Sequence, residues 1–387
     1  MRVAIIGSGM VGSSIAYECA KAGAGVTVID AGRLGGVASA ASFAWLNATS
    51  KAPKSYYALN ALGMRAHLEL RRDFGDCPWH RQTGSLEWRT TDEGQAWQRG
   101  NVAQMRDWGY GVEWLGKARL AQMEPDIDLA ALGDAPVVYY PEEGWVDPVL
   151  YAAWLLRAAR ERDGAELRPH TEVTQVLTRN NRAVAVLTAD GERIEADVIV
   201  NASGARSDGD LGVPGLPMTS TPGMLGFTPP VPTTLRSQFH LDDLDVRPDG
   251  AGRLMIHKAS VDTGLLPGAA VSTDGREAEA LLEATRKALP LLQGVRLEAV
   301  RSTLRPMPRD GFTCIGALTH MTGYYVAATH SGVTLAPYLG RALADEIVRD
   351  LPHDALAPFS PDRFFLEQTA TSASAELVGV KPVEGPA

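Results

Sequence analysis

Three glycines, Gly7, Gly9 and Gly12, form a G-x-G-x-x-G, and an acid, Asp30, stands 18 residues beyond the last of them. These residue types at this spacing suit one task, which is holding the phosphates and a ribose of a dinucleotide. Gly7 permits a tight turn, Gly9 lets a pyrophosphate approach the backbone, and Gly12 lets a helix pack close to a sheet. A helix starting here offers free N–H groups and the positive end of its dipole to phosphate. A carboxylate at Asp30 can bind ribose hydroxyls. It repels a 2′-phosphate, which argues against NADP.

The motif needs elements to position it, and the flanking residues supply them. Arg2-Val3-Ala4-Ile5-Ile6 is apolar and β-branched, the pattern of a buried parallel strand. Ser13 to Ala22 reads as a helix, with Ile15, Ala16, Cys19 and Ala20 on one face and Gly23 at its end. Val26 to Ile29 is a second strand that finishes at Asp30. A lone G-x-G-x-x-G carries little weight. With strand, helix, second strand and acid in order it becomes specific. This unit alone does not choose between NAD and FAD.

Small residues follow, from Gly35 to Ser42, where a flat ligand can lie close to backbone. Pro53 opens an amphipathic helix running to about Phe74. Residues 77–140 carry Trp79, Trp88, Trp97, Trp108 and Trp114 and read as an inserted region of strands and short helices, its tryptophans in the core. Gly144 to Pro148 marks a turn. A helix then runs from Pro148 to Asp163 and stops at Gly164. Residues 172–176 alternate like a strand, and 183–188 with 192–196 form a hairpin around Asp190-Gly191. Residues 197–201 are a buried strand running into Ala202-Ser203-Gly204-Ala205-Arg206, a small-residue turn at the end of a strand, where open α/β sheets bind ligands. Residues 211–235, rich in proline and glycine, read as a connection. Residues 236–300 hold strands and one helix, 277–289. Leu304 to Gly311 reads as a rigid turn. A last buried strand, 324–328, leads through Thr329-His330-Ser331-Gly332-Val333-Thr334 to a helix over 335–349. Residues 366–387 lack any period and read as a flexible tail.

Composition narrows the partners. The chain has 387 residues, 45% hydrophobic and 21% charged, and a net charge of 37 − 46 = −9, which argues against a nucleic-acid partner. Three scattered cysteines, Cys19, Cys77 and Cys314, form neither a disulfide framework nor a zinc site. They suit a reducing compartment, and the expectation is a cytoplasmic protein. No apolar run reaches the length of a membrane helix, and the early strand motif leaves no room for a signal peptide.

Six blocks in this order resemble the D-amino-acid oxidase superfamily of FAD enzymes, which includes glycine oxidase, sarcosine oxidase and D-amino-acid dehydrogenase. They are VAIIGSGMVGSSIAYECAKAG with VTVID, GGVASAASFAWLNA, GWVDP, EADVIVNASGARS, LRPMPRDGFTCIG and YYVAATHSGVTLAPYLGRALADEI. The resemblance implies an α/β protein of two lobes: a discontinuous Rossmann-like FAD-binding domain (1–78, 141–225 and 300–365) and an α+β substrate domain with a mixed sheet (79–140 and 226–299). Carried over residue by residue, Gly7, Gly9, Gly12 and Asp30 would hold the ADP half of FAD, with Met10, Val11 and Ala31 beside them. Ser39, Ala41 and Ser42 would line the pyrophosphate and flavin. Val173 would meet the adenine, Ala202 and Gly204 would close over the cofactor, and Gly332, Val333 and Thr334 would contact the edge of the ring. A helix N-terminus at that edge favours the negative charge of a reduced flavin.

Arg305 matches the arginine that takes the substrate carboxylate in the family, and a guanidinium fork suits a carboxylate because two parallel bonds fix position and angle. The alternative is a structural pair with Asp310 or Glu298. His330 matches a position before the flavin-facing glycine and could tune the flavin or accept a proton; the alternative is a histidine capping its own loop. His257 is the third candidate catalytic side chain, on a strand facing either the pocket or solvent. Trp45 and Lys51 could approach the flavin. The bland readings are packing for Trp45 and solvent for Lys51. Two positions depart from the family. Arg206 stands where many members have tryptophan. Thr303 lies near the place of the covalent cysteine of the sarcosine oxidases, so FAD is expected to be non-covalent.

These expectations define an FAD-dependent oxidoreductase that oxidises the C–N bond of an amino acid or secondary amine to an imine by hydride transfer to flavin N5. Oxygen or an electron-transfer acceptor would take the electrons. The rivals are an NAD-dependent dehydrogenase, a tRNA-modifying or partner-bound flavoprotein, and a non-catalytic flavin scaffold.

Overall fold

The computed structural model describes residues 1–365, and the expected tail at 366–387 lies outside them. The buried strand Arg2–Ile6 pairs in parallel with Gly25–Ile29 on one side and Val198–Asn201 on the other. Met321–Ala328 and Glu166–Arg168 extend the parallel order outward. An antiparallel hairpin, Val173–Arg179 with Arg182–Thr188, forms one flank, so the nine-stranded sheet is mixed. Helices Met10–Lys21, Pro148–Asp163, Lys54–Phe74 and Gly332–Arg349 pack together against it. Ile15, Ala16 and Cys19, the apolar face read from the sequence, are fully buried there. Truncating Ile15 to alanine would cost about 2–5 kcal/mol.

A second sheet of eight strands runs in the order Ala299–Arg305, Thr221–Phe227, Leu254–Lys258, Leu244–Pro248, Gln238–Leu241, Ser85–Trp88, Val137–Tyr140, Glu113–Leu115. It is antiparallel except where Gln238–Leu241 runs alongside Ser85–Trp88. Helix Arg276–Ala288 covers one face of it with Leu281 and Leu282. A small three-stranded sheet, Trp45–Leu46, Gly144–Val146 and His80–Arg81, lies apart from both.

Two expectations are corrected here. Residues 221–227 are a strand, although their glycine and proline suggested a connection. Gly226 is required because a Cβ there would meet Leu297 at 2.7 Å, and Gly223 because the Arg305 side chain lies across it. Leu304 and Arg305 end a strand and do not belong to the turn, which is confined to Pro308–Gly311. Residues 221–227 and 299–305 pair with each other within the second sheet.

Candidate active site

A single cavity of about 1060 Å³ is lined by residues from both large sheets. At one end, Gly7, Gly9, Met10, Val11, Asp30, Ala31, Val173, Ala202 and Gly204 form its wall; along it lie Ser39, Ala41, Ser42, Gly332, Val333 and Thr334. Gly12 is the exception among the expected cofactor residues. It sits behind the wall, where a Cβ would be 2.1 Å from the Gly7 carbonyl, so its part is the close packing of helix on turn.

The local chemistry fits an anionic dinucleotide. Gly9 caps the first helix and has no side chain to do so, and Ser39 Oγ takes the Met10 amide instead, at 3.1 Å. Among the described residues the Val11 and Gly12 amides have no acceptor, which leaves two donors for a phosphate. The Asp30 carboxylate braces the turn by accepting from Ser8 N and Oγ (2.8 and 2.6 Å) and Gly32 N (2.8 Å). With about four lone-pair sites on a carboxylate, one remains for a ribose hydroxyl. A second helix N-terminus, at Gly332, opens on the same cavity. Arg206 stands exposed at the rim and pairs with Glu172 at 2.8 Å, which offsets its charge beside the cofactor end.

Arg305, His257 and His330, distant in sequence, all line this same cavity. Arg305 pairs with neither Asp310 nor Glu298, which bind Arg363 and Arg253. Its Nη2 lies 2.9 Å from Asp262 Oδ2 and donates to the Pro222 carbonyl at 3.1 Å. His257 donates from Nε2 to the same Asp262 oxygen and from Nδ1 to Asp245, both at 2.7 Å. His240 donates to the other oxygen of Asp245 at 2.6 Å. A chain of alternating charge thus runs Asp245, His257, Asp262, Arg305, and all four line the cavity. Burial alone would lower the pKa of His257, but the bonds and charges of its two aspartates outweigh burial and hold it up at about 9. His257 is therefore a fixed cation at neutral pH and faces the pocket rather than solvent.

His330 is in the opposite state. It opens into the cavity and makes no hydrogen bond among the described residues, so it does not cap its own loop. It is exposed to the cavity, and desolvation there, then the charges of Lys51, Arg305 and His257, lower its pKa from the ordinary value. Its imidazole is neutral, with a nitrogen available to accept a proton. Lys51 is not in solvent; it is half-buried on the cavity wall, and burial pulls its pKa down to about 8 against the attraction of Glu143. Trp45 also lines the cavity, stacked on His240 at 3.8 Å, and donates to Glu143 at 2.7 Å. Glu143 also accepts from Tyr110 (2.7 Å) and Ser85, yet burial outweighs these bonds and raises its pKa to about 7.

Asp245, Asp262, His240 and Glu143 had no signal in the sequence. Asp245 stands opposite both His240 and His257 across antiparallel pairs. Residues directly opposite share a face, so the cluster follows from strand register and not from spacing along the chain.

A dinucleotide cradle and a cluster of charged side chains sharing one cavity define a dinucleotide-dependent oxidoreductase. The chain belongs to the DAO family of FAD dependent oxidoreductases, whose pattern matches residues 2–346. It is an FAD-dependent enzyme, and the NAD alternative falls. Glycine oxidase of Geobacillus kaustophilus is 30% identical over 377 residues, 93% of this chain and 96% of that protein. The crystal structure of glycine oxidase from the same organism superposes with a TM-score of 0.79 at 28% identity, covering 93% of this chain and 98% of that one. Hydrogen cyanide synthase subunit HcnC of Pseudomonas aeruginosa is 28% identical over 324 residues, 82% of this chain and 75% of that protein. The enzyme acts within the amino acid and amine chemistry of this family. No helix among the described residues is long and apolar enough to cross a membrane.

Proposed function

We propose that the enzyme oxidises the C–N bond of an amino acid or secondary amine, removing hydride from the carbon and a proton from the nitrogen to leave an imine, which water hydrolyses. Bound FAD supplies the two-electron acceptor at N5 of its ring. Gly7, Gly9, Met10, Val11, Asp30 and Ala31 would hold its ADP half, with Gly12 packing beneath them and Val173, Ala202 and Gly204 around them. Ser39, Ala41 and Ser42 would line the pyrophosphate and ring, and Gly332, Val333 and Thr334 the ring edge. We assign the cofactor to the body around the nine-stranded sheet and the substrate to the eight-stranded one.

The observation that carries this reading is Arg305, part-exposed and held by Asp262, on the same cavity as the dinucleotide cradle. Arg305 takes a substrate carboxylate, and Asp262 fixes the angle of its guanidinium. The cations Arg305, His257 and Lys51 disfavour a further positive charge between them, so the substrate amine binds neutral, with its lone pair free to assist loss of hydride. His330, a neutral imidazole, is placed to receive the amine proton. Oxygen or an electron-transfer acceptor then takes the two electrons. The glycine oxidase relatives support an amino acid substrate. Three buried, unpaired cysteines suit a reducing compartment such as the cytoplasm, and the net charge of −9 favours small molecules over nucleic acid as partners.

The test is an anaerobic screen of amino acids and N-methyl amines against the holoenzyme, following flavin absorbance. At least one should bleach the flavin. Arg305→Ala should then raise KM for the carboxylate substrate steeply with flavin still bound; an unchanged KM would retire that role.

A further inference from the structure

At the substrate end of the cavity the carboxylates are already engaged. Asp245 accepts from His240 and His257 on its two oxygens. Asp262 Oδ1 accepts from the Met224 amide at 2.8 Å, and Oδ2 takes His257 and Arg305. Glu143 is held by Trp45, Tyr110 and Ser85. Each of these carboxylates already has a cationic or hydrogen-bonding partner, so none stands as an unpaired anion for a second cationic nitrogen.

The donors are in the reverse condition. Arg305 uses only Nη2; its buried Nε has no partner, and Nη1 makes no bond among the described residues. Lys51 lines the same cavity and forms no hydrogen bond or ion pair among the described residues. The two cations come from different parts of the fold. Arg305 ends the strand Ala299–Arg305 of the second sheet, while Lys51 follows the strand Trp45–Leu46 of the small sheet. Both line one cavity together with His330.

Resting on the reading above, we propose that the pocket takes an amine with two carboxylates, such as an iminodicarboxylic acid, with Arg305 binding one and Lys51 the other. The charge of Arg305 is already offset by Asp262. That of Lys51 has no bonded counter-ion, and an enclosed ammonium without one is costly. A substrate with a single carboxylate on Arg305 leaves that cost in place. A second carboxylate removes it. The pair of anchors also fixes the nitrogen between them, with a C–H on either side.

The probes are ethers in which oxygen replaces the amine nitrogen, so that no C–N bond can be oxidised. Oxydiacetate has two carboxylates and methoxyacetate has one. Binding to the holoenzyme is read from the perturbation of the flavin spectrum. Oxydiacetate should bind the native enzyme at least about tenfold tighter, because losing one partner of an enclosed charge pair weakens affinity by tens-fold or more. Lys51→Met should abolish that advantage, weakening oxydiacetate far more than methoxyacetate with flavin content unchanged, and Lys51→Arg should retain part of it. Equal binding of the two ethers to the native enzyme overturns the proposal, even where Lys51→Met does not fold. So does an equal loss for both ethers in Lys51→Met, or a loss confined to reoxidation by oxygen. The broader reading fails separately. If no amine bleaches the flavin while oxydiacetate is still preferred, the chemistry is wrong and the two-carboxylate site stands. If sarcosine and iminodiacetate reduce the flavin equally well and the ethers bind alike, the chemistry stands and the site falls.

Discussion

Asp262→Asn keeps the shape of the side chain and removes the carboxylate between His257 and Arg305. The structure sets both the size and the pH dependence of the result. His257 sits at about 9 against an ordinary value of 6.5. That difference corresponds to roughly 3 kcal/mol of stability, what remains of the pull of Asp245 and Asp262 after the cost of burial, so at least half of it goes with Asp262. A group raised in the folded state contributes fully below its unfolded value and loses its contribution as pH climbs through the folded one. The term is therefore complete at about pH 6 and largely gone at about pH 9.5. With roughly 2 cal/mol/K of unfolding entropy per residue, 1.5 kcal/mol moves Tm by about 2 °C in a chain of this length. Loss of the Arg305 pair adds a further decrement that does not change over this range. The assay is Tm of the FAD-loaded protein, native and variant, across that span. The gap between them should be at least about 2 °C wider at pH 6 than at pH 9.5. A gap constant with pH would show that His257 does not draw its proton affinity from Asp262. A gap widening with pH would refute the protonation state assigned to the whole chain.

Three further outcomes follow from the same geometry. Gly12→Val places a Cβ 2.1 Å from the Gly7 carbonyl, so the first turn must shift; the purified protein should lose most of its bound flavin, read as the ratio of flavin to protein absorbance. Gly223→Ala places a Cβ 3.1 Å from Arg305 Nε and 3.4 Å from its Cζ. It should raise KM for carboxylate substrates by about tenfold, roughly the loss of one well-placed charge-assisted bond, with flavin content unchanged. Glu143 is held up to about 7, chiefly by burial, so its ionised form is penalised and the native fold loses stability as pH rises from about 4.5 to 7. Glu143→Gln cannot ionise. Its Tm relative to the native enzyme should therefore improve by a few degrees, about 4 °C at most, between pH 5 and pH 8.

The parts of this fold that can be read from sequence are those whose conformation is decided within a few residues. Gly7 and Gly12 must be glycine because of atoms in the adjoining turn and in Ala202. The strands Arg2–Ile6 and Val198–Asn201 are buried on both faces and appear as unbroken apolar runs. Residues 221–227 failed that test. Their two glycines are set by Arg305 and Leu297, partners from remote strands, so a local reading sees only flexible residues and a proline.

The charged cluster shows the same limit more sharply. His257 could be singled out, but its protonation depends on Asp245, which faces it only because Leu244–Pro248 and Leu254–Lys258 pair in one particular register. A slip of one residue would send Asp245 to the other face. His257 would then lose one of its two counter-ions, and the chain ending at Arg305 would no longer be balanced. Arg305 next to a proline therefore fixes the position of a guanidinium but not its electrostatic state. That state depends on Asp262, and it is what decides whether Arg305 alone, or Arg305 together with Lys51, sets the charge a substrate must carry.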